Sequence, residues 1–128
     1  MKVRDILVAR PVTAAPEESA ATAWERMQTA DVSHLVVLKD GQIVGILSRH
    51  DLGGPAGGTH RRMGRRVADL MRRDVVTATP ETSVQRASML MRRHGIGCLV
   101  VVVRGRLVGT VTVSRLLALL ERELTAPR

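Results

Sequence analysis

The residues best suited to chemistry close a short apolar run, Val44-Gly45-Ile46-Leu47-Ser48-Arg49-His50-Asp51-Leu52. The run reads as a strand that delivers Ser48 to a helix N-terminus. Unpaired backbone N–H groups at such a point, together with a serine hydroxyl, favour a phosphate. Asp51 follows about one helical turn later. A carboxylate does nothing for a phosphate, but it accepts hydrogen bonds from vicinal hydroxyls such as those of a ribose. Gly45 leaves room for backbone to approach a ligand. The set suits a nucleotide. The same residues also fit a simple capping box, with Ser48 at the N-cap and Asp51 at N3.

No catalytic constellation accompanies them. Ser48, His50 and Asp51 are neighbours on one helix start and do not form a triad without further groups. His34, His50, His60 and His94 form neither an H-x-x-x-H nor an H-E-x-x-H pair, so no metal site is expected. His50 lies beside the predicted phosphate position; the alternative is an ordinary surface histidine. Cys98 is the single cysteine, which excludes an intramolecular disulfide and a Cys-rich zinc site. The expectation is a non-enzyme that requires no cofactor.

The elements that must position these residues come in two copies. The offset that carries Val3 to Val67 aligns Val3–Leu52 with Val67–Leu116 without a gap. VRDIL pairs with VADLM, PVTAAPEES with VVTATPETS, and HLVVLKDGQIVGILSRHDL with CLVVVVRGRLVGTVTVSRL. Each copy opens with a helical turn, Val3–Leu7 or Val67–Met71. An extended stretch follows, Val12–Ala14 or Val76–Ala78. Ser19 and Ser83 are helix N-caps. Ala20, Ala23, Trp24 and Met27 then fall on one helical face, as do Val84, Ala87 and Met91, and Gly95 stops the second helix. Met27 and Met91 read as core, and Trp24 as core or dimer contact. Two hairpins come next: His34–Leu38 with Ile43–Leu47 around Asp40-Gly41, and Leu99–Val103 with Leu107–Val111 around Arg104-Gly105. Closing helices are expected from Ser48 and from Thr112 onward, the second with Leu116, Leu117, Leu120 and Leu124 on one face. Residues 53–66, GGPAGGTHRRMGRR, read as a loop that lacks P-loop spacing. Its arginines either reach a phosphate on a neighbouring surface or are simply solvated.

Taken together, the V-x-D-[IL]-[ML] start, the V-T-x-x-P-E element, the hairpin and the hG-h-h-[ST]-x-x-D-h ending resemble the cystathionine-β-synthase (CBS) domain. Two copies resemble a stand-alone CBS pair, or Bateman module, across residues 3–117. The resemblance implies an α/β (α+β) fold, two β-α-β-β-α repeats packed about a pseudo-twofold axis. Repeat one would be 3–52, the linker 53–66, repeat two 67–117, and the helix end and tail 118–128. It also implies a regulatory module binding AMP, ADP, ATP or S-adenosylmethionine in a cleft between the repeats, a homodimer, and a separate, unidentified protein partner. Ser48 and Asp51 match the family's phosphate- and ribose-binding pair. Val32, Ser33 and His34 match a stretch lining the base or phosphate. Arg49 and His50 belong to the same turn, and Val32 and Ile46 would sandwich the adenine. Val75, Val76, Thr77 and Ala78 would complete the cleft from the other repeat. The second cleft departs from the pattern. Thr112 keeps the hydroxyl and Thr13 would face it, but Arg115 replaces the aspartate and can only donate. That cleft is expected to be empty or to hold a phosphate or sulfate.

Composition sets the outer limits. The chain has 128 residues, 45% of them apolar, enough for one compact module. Trp24 is its only aromatic residue, so a nucleic-acid stacking platform is not available. The net charge of +8 is nearly all arginine. It fits either a polyanion partner or a solvated surface, which leaves a nucleic-acid-binding or protein-interaction scaffold as the alternative reading. No apolar run has the length of a signal-peptide h-region or a membrane span, so a cytoplasmic protein without membrane insertion is expected.

Overall fold

The computed structural model describes residues 1–55 and 58–125. Ala56 and Gly57 of the linker and residues 126–128 of the tail lie outside the described residues. A 3-10 turn at Val3–Asp5 precedes β1 (Val8–Ala9), β2 (Thr13–Ala14), α1 (Ala20–Ala30), β3 (His34–Lys39) and β4 (Gln42–Ser48). Then come α2 (Gly58–Arg62), α3 (Val67–Leu70), β5 (Thr77–Ala78), α4 (Val84–His94), β6 (Cys98–Val103), β7 (Arg106–Thr112) and α5 (Val113–Thr125). The fold is mixed α/β.

The chain divides into two compact units whose limits differ from those of the sequence repeats. One is Pro11–Val75; the other joins Met1–Arg10 to Val76–Arg128. Each repeat's opening turn therefore belongs to the unit built mainly from the other repeat.

In the Pro11–Val75 unit, α1 starts where Ser19 Oγ accepts the Thr22 N–H at 3.1 Å. It ends at Asp31, in the left-handed region with φ 53°. Ala20, Ala23 and Met27 are buried, as the helical spacing predicts. β3 and β4 form the expected hairpin. Asp40 and Gly41 both take positive φ, the combination that matches the twist of a tight hairpin. β2 adds in parallel to β3, and the sheet order is β2-β3-β4. Leu35, Val37, Leu47 and Leu52 join Met27 in the core, each contributing about 1.5–3 kcal/mol by leaving water. Val67 is buried there too, its N–H donating to Glu18 O at 2.8 Å.

The second unit repeats this construction. Ser83 Oγ accepts from Arg86 N at 3.0 Å, and Gly95 ends α4 with φ 62°. Arg104 and Gly105 make the second tight turn. The sheet runs β1-β7-β6-β5. Val3, Ile6, Leu99, Val101, Val111 and Met91 form its core. Val3 N–H donates to Thr82 O at 2.8 Å, and Glu81 holds both Lys2 and Arg4. In α5, Leu116 and Leu119 pack on the core, whereas Leu117, Leu120 and Leu124 are exposed.

Two expectations need correction. No helix follows Ser48: the chain makes a single turn and then passes through Gly53 and Gly54, both at positive φ, before Pro55. Helical backbone cannot continue through that conformation. After Thr112, by contrast, the uninterrupted Leu and Ala residues extend α5. The linker is not wholly a loop either, since Gly58–Arg62 forms α2. The buried Arg62 guanidinium lies 4.0 Å from the Trp24 ring centroid and donates to Leu52 O and Gly54 O. That anchorage of the linker, a cation–π contact worth about 0.5–2 kcal/mol, accounts for Arg62 without a phosphate.

Candidate functional site

β4 ends at Ser48, and the turn that follows is locked by reciprocal hydrogen bonds. Ser48 N–H donates to Asp51 Oδ2 at 2.9 Å, and Asp51 N–H donates to Ser48 Oγ at 3.0 Å. The capping geometry is thus present, but it closes one turn rather than a helix. Ser48 offers no helix N-terminus to a phosphate. Arg49 N–H donates to Ser33 O and Arg49 Nε to Val32 O, each at 3.0 Å, tying the turn to the segment before β3.

Asp51 is buried, and its second oxygen has its own partner. Arg72 Nε approaches Oδ1 at 3.3 Å, while the arginine side chain stays about half exposed at 54%. The contact arises from backbone pairing. Ile46 N–H donates to Arg72 O at 2.9 Å and Arg72 N–H to Ile46 O at 2.8 Å, an antiparallel bridge along β4. Gly45 makes room for it: a Cβ there would lie 2.6 Å from Met71 Sδ and 2.9 Å from Arg72 O. The glycine therefore serves the approach of this chain's own backbone, not that of a ligand.

His34 pairs with Ser48 across the hairpin and stands near the same carboxylate. Its Nδ1 is buried and has no hydrogen-bond partner among the described residues. Burial holds the imidazole below its ordinary pKa; the Asp51 charge opposes that shift and the Arg72 charge adds to it. The carboxylate, hydroxyl, imidazole and guanidinium of one unit thus converge on one turn.

Of the residues singled out from sequence, Val32, Ser33, His34, Ile46, Ser48, Arg49 and Asp51 are gathered around this turn. His50 is exposed in it. Val76, Thr77 and Ala78 belong to the other compact unit, where Thr77 and Ala78 pair with Val100 and Val101. Arg72 escaped sequence reasoning, because no local motif marks it. The need for a glycine at position 45 was the available signal that another segment crosses there.

At the equivalent turn, Thr112 Oγ1 accepts from Arg115 N at 3.2 Å. Arg115 Nε donates to Ile6 O at 3.1 Å, so its charged head is turned onto a backbone carbonyl. Cys98 stands where His34 does, opposite Thr112, and burial pushes its thiol up to about 12. Thr13 lies in β2, where its carbonyl accepts from Arg26 Nη1 at 2.9 Å. A cavity of about 520 Å³ beside the linker is lined by Arg62, Arg65 and Arg66 with Glu17 and Ser19, and by none of the Ser48–Asp51 residues. Among the described residues no cluster of His, Cys, Asp and Glu could hold a metal, and no helix is long and apolar enough to cross a membrane.

The family model for the CBS domain matches residues 3–52 and again 67–122. The chain belongs to the CBS domain family. A CBS pair is a regulatory module. This pair is 32% identical over 114 residues to inosine-5'-monophosphate dehydrogenase of Thermoplasma acidophilum, covering 88% of the chain and 22% of the dehydrogenase. The chain therefore spans about a fifth of that relative. Among solved structures, the CBS domain pair of protein MJ0100, in complex with 5'-methylthioadenosine and S-adenosyl-L-methionine, superposes with a TM-score of 0.86 at 26% identity. The match covers 96% of this chain and 98% of that one. CBSX2 in complex with AMP shares the fold, with a TM-score of 0.80 and 23% identity over 94% of this chain and 97% of its own.

Proposed function

We propose that this CBS pair senses an adenosine-bearing ligand through the Ser48–Asp51 turn and passes the binding event to a separate protein. The observation that carries the reading is Asp51 itself. It is a buried carboxylate, fixed in orientation by the Ser48 N–H and beside an exposed guanidinium. A carboxylate oxygen can accept more than one hydrogen bond, so Asp51 can hold two ribose hydroxyls while its turn stays closed. Val32 and Ile46, both half-buried, supply the aliphatic contacts for a base in a chain without other aromatics than Trp24. The bound adenosine compounds in the MJ0100 and CBSX2 structures support this choice of ligand class.

Regulation follows if the ligand binds one conformation of the pair more tightly than another, since only differential affinity shifts an equilibrium. The same reading includes a homodimer, with the exposed α5 leucines Leu117, Leu120 and Leu124 as its contact. The Arg115 turn, without a carboxylate, is the weaker or empty site, so one adenosine ligand per chain is expected.

Isothermal titration with AMP, ADP, ATP and S-adenosylmethionine tests the reading. Saturable binding of at least one, near one per chain and weakened about a hundredfold by Asp51→Ala, is the expected result, since a hydrogen bond to a charged group contributes about 1.5–3 kcal/mol. Silence from all four with a folded protein would leave an interaction scaffold as the better account.

A further inference from the structure

The ion pair at the Asp51 turn bears on which adenosine ligand is taken, and the inference rests on the reading just given. A lone Asp51 would make the site's field negative and would welcome a cationic ligand. Arg72 changes that balance. Its Nε lies 3.3 Å from Asp51 Oδ1, with the side chain 54% exposed. The local pair is neutral, and its positive member is the one turned to solvent. Of the other arginines at the turn, Arg49 gives its Nε to Val32 O and faces Asp31 at 3.8 Å, and Arg61 gives its Nε to Asp51 O at 2.8 Å. Arg72 is held at this place by two backbone hydrogen bonds to Ile46, so its position is set by the sheet and not by the ion pair alone.

The companion turn shows that the guanidinium is not a general feature of the repeat. The offset that relates the copies places Val8 where Arg72 stands. Val8 pairs with Thr110 on β7 as Arg72 pairs with Ile46 on β4, so the backbone is matched and the charge is not.

We propose that Arg72 is a specificity-determining residue. It sets the Asp51 turn to favour adenosine ligands that carry a phosphate and to disfavour those that carry a sulfonium. The planar guanidinium suits phosphate oxygens, and at a few ångströms it opposes a sulfonium of like charge. Because the side chain is half exposed, solvent reduces the effect, and about a tenfold change in affinity is expected for each ligand charge it meets.

The test titrates adenosine, AMP and S-adenosylmethionine against the wild-type chain and its Arg72→Gln, Arg72→Lys and Asp51→Ala variants. AMP should bind the wild type at least tenfold more tightly than S-adenosylmethionine. Arg72→Gln should shrink that ratio at least tenfold while moving adenosine by less than about threefold, and Arg72→Lys should restore most of the ratio. A wild type that takes S-adenosylmethionine as tightly as AMP, or a ratio unmoved by Arg72→Gln, overturns the role of Arg72 while leaving the adenosine reading intact. Failure of all three ligands to bind the wild type, or binding that survives Asp51→Ala unchanged, removes the adenosine site at this turn, and Arg72's role with it.

Discussion

The Ser48–Asp51 and Thr112–Arg115 turns share a backbone plan and differ in chemistry. Both follow the second strand of a tight hairpin, and both use a side-chain hydroxyl to accept the N–H of the fourth residue of the turn. Both also need a glycine earlier in that same strand, because another stretch of the chain crosses there. At Gly45 that stretch is Met71-Arg72, and at Gly109 it is Leu7-Val8. What differs is the side chains gathered at the turn. Asp51 accepts, with His34 and Arg72 around it; Arg115 donates to the Ile6 carbonyl, with Cys98 and Val8 at the matching places. A repeated scaffold fixes where the side chains sit, and three or four substitutions decide which chemical groups stand there.

The scaffold's equivalence is open to direct attack. Met27→Ala and Met91→Ala remove matched buried side chains from α1 and α4, and each should cost about 2–5 kcal/mol in denaturant unfolding. A near-zero cost at one of them would show that the two cores are not equivalent. Gly45→Ala and Gly109→Ala should each cost about 1–3 kcal/mol by overpacking. The cost at Gly109 should be the larger, since the added Cβ would lie 2.7 Å from both Leu7 Cδ1 and the Val8 carbonyl. Ser48→Ala should destabilise by about 1 kcal/mol, the loss of a capping acceptor. Thr112→Ala should cost less, because its bond is longer, at 3.2 Å, and exposed.

The smallest effect separates the turns by pH. The His34 imidazole is held below its ordinary value in the folded chain. The unfolded chain therefore binds a proton first as pH falls, and stability drops through the window between the ordinary histidine value of 6.5 and the lower folded one. Above 6.5 the contribution is fully present. His34→Ala should flatten that part of the stability profile. Cys98, pushed up to about 12, adds no slope there, so Cys98→Ala should leave it unchanged.

Much of this was legible in the chain. Ser19, Ser83 and Gly95 mark helix ends through local hydrogen bonding and a positive φ, and Asp40-Gly41 and Arg104-Gly105 mark turns that few residue pairs can adopt. The repeat multiplied each signal. The proximity of Ser48 and Asp51 was also local. The missing helix after Ser48 traces to Gly53-Gly54-Pro55, where local breakers outweighed the analogy with the second copy. Arg72 could not be found in this way. Its partner is distant in sequence, and only the bridge from Ile46 brings them together. The exchange of opening turns between units was hidden for the same reason, as it is made by long-range backbone bonds such as Val3 to Thr82 and Val67 to Glu18.

The most direct test compares the two turns in one experiment: calorimetric titration of AMP into wild type, Asp51→Ala and Arg115→Ala. The account predicts about one AMP per chain, weakened about a hundredfold in Asp51→Ala and unaffected in Arg115→Ala. AMP affinity unchanged in Asp51→Ala, or lost in Arg115→Ala with Asp51 intact, would contradict it.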